Sequence, residues 1–88
     1  MNIKKALKFY NLRYPGDKMN MTRLGVVLFP GAERKNIRQN MYNMVHSNSR
    51  IDKGTLLKIC DCLEVDANFL FGFASEYDKR YEEVKSNN

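Results

Sequence analysis

The sequence predicts an all-α fold: five short helices followed by a C-terminal helical extension. Three observations point that way. Apolar residues recur three and four positions apart along most of the chain, the spacing of one helix face. Capping residues and turn dipeptides interrupt these stripes at short intervals. No segment alternates apolar and polar residues as a half-buried strand does.

Ile3, Ala6, Leu7 and Tyr10 mark one face of a first helix, which stops at the turn signal YPGD, Tyr14–Asp17. Asn20 or Thr22 caps a second helix with the apolar face Leu24, Val27 and Leu28, and Pro30–Gly31 ends it. Ile37, Met41, Met44 and Val45 stand at offsets of 0, 4, 7 and 8, the stripe of a third helix. Ser47–Arg50 reads as a loop. Asp52 caps a fourth helix whose stripe is Leu56, Ile59, Cys60 and Leu63, with Cys62 pointing away from the core. Asp66 caps a short fifth helix, ANFLF, which Gly72 closes in the left-handed conformation. Ser75 starts a last helix with few apolar residues: Tyr77, Tyr81 and Val84. Only the final KSNN reads as disordered. The expected division is a helical domain over residues 1–73 and an extension or tail over 74–88.

Charge narrows the function classes. Residues 1–58 hold twelve Lys/Arg against three Asp/Glu, whereas residues 59–88 hold three against seven. A basic body with an acidic end suits a polyanionic partner. No apolar run is long enough to span a membrane, and the charged N-terminus does not read as a signal peptide. Cys60 and Cys62, two positions apart, make a poor disulfide, so a reducing cytoplasm is the expected compartment. One histidine, no metal-type cysteine spacing, no phosphate-binding glycine loop and no nucleophile elbow leave no expected metal, cofactor or catalytic residue. The chain does not read as an enzyme.

The third helix raises the functional question. Its outward side carries Arg38, Gln39, Asn40, Tyr42, Asn43 and His46 instead of the usual Lys/Glu mixture, although Asn is a poor helix former. Arg is bidentate to guanine, Gln and Asn are bidentate to adenine, and an aromatic edge touches the thymine methyl. A short helix, a turn and this helix make a helix-turn-helix, in which the second helix lies in the major groove of double-stranded DNA.

At these residues the chain resembles the lambda-repressor-like, or XRE-type, helix-turn-helix family of bacterial and phage regulators. The resemblance covers roughly residues 3–71 and is strongest in TLLKICDCLEVDANFLFG, Thr55–Gly72. NMTRLGVVLF, Asn20–Phe29, is similar to the family's second helix, with Leu24 at the core position and Gly25 where a small residue lets the two motif helices approach. RQNMYNMV, Arg38–Val45, is similar to the recognition helix. The resemblance implies base contacts by Arg38, Gln39 and Asn43, flanked by Asn40 and Tyr42. Phosphate contacts are expected from Asn20, Arg23, the loop residues Arg34 and Lys35, and then Arg50 and Lys53. The chain departs from the pattern at the turn, where PGAERKNI, Pro30–Ile37, is longer than usual. Either this segment extends the recognition helix backward or it forms a basic loop. Val45 and Asn48 stand where Glu and Gly are common in the family, and Met21 where a polar phosphate contact is frequent.

The expected function is that of a sequence-specific transcriptional regulator, a repressor, binding as a homodimer. The expected dimer element is aromatic: Phe69, Phe71, Phe73, Tyr77 and Tyr81, although Phe69 with Leu70 also closes the core. The rival reading is an antitoxin, or protein-interaction module, whose acidic tail binds a protein partner. A third is a helix-turn-helix fold that only mediates protein contacts.

Overall fold

The computed structural model describes residues 1–46 and 51–87. Among them, all regular structure is helical: α1 (Ile3–Arg13), α2 (Met21–Leu28), α3 (Arg34–His46), α4 (Lys53–Leu63), α5 (Ala67–Phe71) and α6 (Glu76–Ser86). No helix among the described residues is long and apolar enough to cross a membrane.

The helix starts follow local side-chain chemistry. Asn20 caps α2 by accepting from the Arg23 amide at 2.8 Å. Asp52 and Asp66 do the same for the Thr55 and Phe69 amides, each at 2.8 Å. Ser75 and Asp78 form a reciprocal capping box at the start of α6. Gly72 closes α5 at φ 81°, the left-handed region a glycine enters freely. The expected Ser47–Arg50 loop lies outside the described residues.

One core joins the helices. Ile3, Ala6, Leu7, Phe9 and Tyr10 from α1 meet Leu24 and Leu28 from α2, Ile59 and Leu63 from α4, and Phe69 and Leu70 from α5. Phe9, Met19 and Val65 are core residues that the expected stripes omit. In α2, Val27 is 45% exposed and is not part of the buried face; Gly25 takes that place. Cys60 and Cys62 both pack half-buried against the core, so Cys62 does not point away, and burial pushes both thiols up.

The last helix is part of this body. Tyr81 is buried, with its ring edge-on to Phe9 at 5.6 Å and to Phe69 at 6.1 Å. Lys5 of α1 sits 4.9 Å from the Phe69 ring centroid, 5.2 Å from that of Tyr81, and 3.8 Å from Asp78. Ser75 Oγ donates to Asp66 Oδ1 at 2.8 Å, joining the starts of α6 and α5. The helix expected from Ser75 is present as Glu76–Ser86; it takes in Lys85 and Ser86 of the KSNN expected as disordered, and its central tyrosine enters the core.

Arg13 ties the end of α1 to the end of α4. Its guanidinium lies 3.9 Å from the Phe9 ring centroid and donates to the Leu63 carbonyl at 2.7 Å and the Glu64 carbonyl at 3.3 Å. These are carbonyls of the kind a helix C-terminus leaves without a partner. Glu64 itself adopts the left-handed conformation, φ 55°, and accepts from Tyr14 Oη at 2.8 Å, which holds the Tyr14 hydroxyl above its ordinary pKa.

Candidate nucleic-acid interface

α2 and α3 pack closely because Gly25 has no side chain. A Cβ at Gly25 would overlap Ile37 Cγ2 and come within 3.0 Å of Met41 Cγ. α3 therefore lies directly on α2 through Ile37 and Met41, with Met44 and Val45 half-buried beside them. The link between the two helices is Phe29–Glu33, because helix resumes at Arg34. The long turn expected over Pro30–Ile37 is thus a short link plus an extra first turn of α3. Gly31, at φ 84°, lets the chain reverse there. Arg34 and Lys35 are helix residues and not loop residues.

Successive helix residues rotate by about 100°, so the five expected base-contact residues do not share one line. Gln39 and Asn43 stand one turn apart on the exposed face, and Gln39 Nε2 donates to Asn43 Oδ1 at 3.0 Å. Arg38 and Tyr42 turn to one flank, where they border a cleft of about 240 Å³. That cleft is lined further by Lys4, Met21, Thr22, Arg34, Ile37, Met41, Val45 and His46. The Tyr42 ring, 60% exposed, lies 4.3 Å from the His46 ring. Asn40 turns to the other flank and, with Asn43, borders a groove of about 250 Å³ beside Asp52 and Thr55 of α4.

The expected phosphate contacts fare unevenly. Asn20 is exposed, but its side-chain oxygen is engaged as the cap of α2. Arg23 Nη1 is held by Asp17 Oδ1 at 2.7 Å and by the Lys18 carbonyl at 2.9 Å. Asp17 also accepts from Tyr10 Oη at 3.1 Å. The Arg23 and Tyr10 donors together hold the Asp17 carboxyl below its ordinary pKa. Arg23 thus braces the α1–α2 link as well as facing solvent. Lys35 lies 3.9 Å from Glu33, both widely exposed, a pairing that restrains it little. Arg34 and Lys53 are exposed without an ion pair among the described residues. Arg50 lies outside the described residues.

Three cations were missed in the sequence. Lys4, Lys8 and Lys18 line a trough of about 610 Å³ along α1, which shares Lys4 and Met21 with the cleft on α3. The signal was present: Lys4 and Lys8 are one helical turn apart on a helix with no acidic residue. Met21, where the resemblance would imply a polar phosphate contact, is half-buried and packs against the core.

No family model matches the chain, and no curated protein or solved structure is significantly similar to it. What the chain does show is an all-helical body that carries on one side an arginine- and amide-rich helix without a single acidic residue.

Proposed function

We propose that the protein binds double-stranded DNA sequence-specifically, as a bacterial or phage transcriptional regulator of the lambda-repressor-like type, with α3 in the major groove. The observation that carries this reading is the outward face of α3. It offers Arg38, Gln39, Asn40, Tyr42 and Asn43, backed by α2 across a short link and a glycine contact. The exposed cations Arg34, Lys35 and Lys53 flank that face. Gln39 and Asn43 form the inner reading pair for adenine, and Arg38 on their flank suits guanine. Binding as a homodimer is part of the proposal. The aromatic surface for it reduces to Phe71 and Phe73, 44% and 67% exposed, since Phe69 and Tyr81 are buried and Tyr77 is half-buried against the core.

The packing of α6 against α1 favours a plain regulator over the antitoxin reading, in which the acidic end would be free to wrap a partner. Titration with random-sequence duplex DNA at several salt concentrations tests the proposal. Affinity is expected to fall with a log–log slope of about −0.9 for each phosphate neutralised. Absence of binding at low salt, or binding indifferent to salt, rejects it.

A further inference from the structure

We propose that the cleft between the N-terminal ends of α1 and α2 and the flank of α3 binds a small amphipathic carboxylate: an apolar chain or ring ending in one anionic group. The floor is apolar, made by Met21, Met41 and Val45. The rim is cationic, made by Lys4, Arg34 and Arg38, and no acidic residue lines the cleft. None of these three cations has an ion pair among the described residues. An apolar ligand without charge would leave the cations unused, and a bare anion would leave the floor unfilled. A molecule with both features satisfies both.

Size sets the class further. At about 240 Å³ the cleft is smaller than the pockets that take drug-sized ligands. It suits a molecule of about eight to ten heavy atoms, judged by the liquid volume a water occupies. The N-terminal turn of α2, Met21 and Thr22, also edges the cleft and adds a partial positive charge.

Arg38 borders the cleft and also belongs to the proposed reading face, so the ligand would act on DNA binding. This part rests on the proposed function. A carboxylate seated on Arg34 and Arg38 occupies donors that DNA would need, and adds negative charge beside the phosphates.

Octanoate is the probe, with octanol and inorganic phosphate as the chain-only and charge-only controls. Titration of the full chain, followed by methyl NMR, is expected to give saturable shifts at Met21, Met41 and Val45 with octanoate. Octanol and phosphate should bind at least about ten-fold more weakly. Lys4→Gln, a change at an exposed position, should weaken octanoate about ten-fold through the lost charged hydrogen bond, with the melting temperature unchanged. Equal binding of octanol and octanoate, shifts that never saturate, or shifts centred on Phe71 and Phe73 overturn the site. Saturating octanoate should then weaken DNA binding about ten-fold, within the usual range for coupled sites. Saturable octanoate binding by a chain that does not bind DNA would sustain the cleft and remove the proposed function instead. Unchanged DNA affinity with the cleft filled would overturn the coupling.

Discussion

Gly25 on α2 lies against Ile37 on α3 so closely that a single added methyl group would overlap Ile37 Cγ2. Two effects of Gly25→Ala oppose each other. Alanine gains up to about 1 kcal/mol of helix propensity over glycine. Overpacking a filled contact costs about 1–3 kcal/mol. Here the clash falls on a branched methyl one bond from Cβ, held by the one χ1 rotamer that a helix favours for Ile, so overpacking wins. Gly25→Ala should lower the melting temperature, by about 4–8 °C for each kcal/mol lost. Combining it with Ile37→Leu, which removes the offending branch, should cost less than the two changes summed. Additive losses in that double-mutant cycle would refute the contact as the cause.

Gln39 and Asn43 should separate from Met41 by what each loses. The two amides are exposed and bonded mainly to each other. Alanine at either position should leave thermal stability nearly unchanged but remove about 1–3 kcal/mol of discrimination at one base pair of each half-site. Met41, 4% exposed, should cost about 2–5 kcal/mol of folding stability when cut to alanine. Melting curves alongside affinities for a panel of single-base site variants read both. Silent amides with a dispensable Met41 would mean that another face of α3 meets DNA.

Lys53 stands exposed at the start of α4, beside the groove that Asn40 and Asn43 border. Lys53→Ala should weaken binding to all sequences alike and flatten the salt slope by roughly one unit. Arg23→Ala should behave differently, since Arg23 is also an internal brace: it should lower stability together with affinity. A change in base preference on removing Lys53 would move it from the backbone set to the reading set.

Acid should destabilise the fold through two carboxylates. Asp17 is held below its ordinary pKa by Arg23 and Tyr10, and Asp52 by the amide and hydroxyl of Thr55. A carboxylate with a depressed folded pKa adds stability that is complete above its unfolded value, near 4, and disappears as the pH falls through the folded value. Melting temperature should therefore drop from about pH 5 downward. Asp17→Asn and Asp52→Asn should each flatten that decline, while Asn at position 52 still caps α4. An acid limb identical in all three proteins would show that other groups cause it.

Tyr81 gives a test of the domain boundary. Truncation after Phe73 would uncover Phe9 and Phe69 on the side Tyr81 now covers. Tyr81→Ala should cost about 3–5 kcal/mol, the range for large aromatic truncations in a core. A truncated chain as stable as the full one would restore residues 74–88 to the status of a tail.

The parts of this molecule that were legible in sequence are those set by neighbours in the chain. Asn20, Asp52, Asp66 and Ser75 each cap a helix within three residues of themselves, and Gly72 needs only its own backbone freedom. The close approach of two helices expected at Gly25 is also present. The start of α3 was not legible, because no capping side chain marks it and Pro30–Gly31 looks like the beginning of a longer turn. The burial of Tyr81 was not, because two tyrosines and a valine in a charged helix do not say which of them meets the core until Phe9 and Phe69 supply the partners. Val27 was misplaced because two adjacent valines leave the phase of a short helix open, and Arg23 because its partner Asp17 lies in the preceding link. On the candidate interface the residue types were legible, but the split of Arg38 and Asn40 to opposite flanks comes from how α3 sits on α2.

The grip of Arg13 on the end of α4 bears on the order in which this chain opens. Its hydrogen bonds join residues 50 and 51 positions apart, enclosing α2 and α3 in one closed loop. Closing such a loop is entropically costly and belongs to the slower part of folding. Once closed, it clasps α1 to the α4–α5 segment independently of α3, which contributes only two buried side chains, Ile37 and Met41. Amide hydrogens of α3 should therefore exchange with solvent through a partial opening that leaves α1 and α4 protected. The helix proposed to meet DNA would then be the first to loosen, its opening set chiefly by the α2–α3 contact.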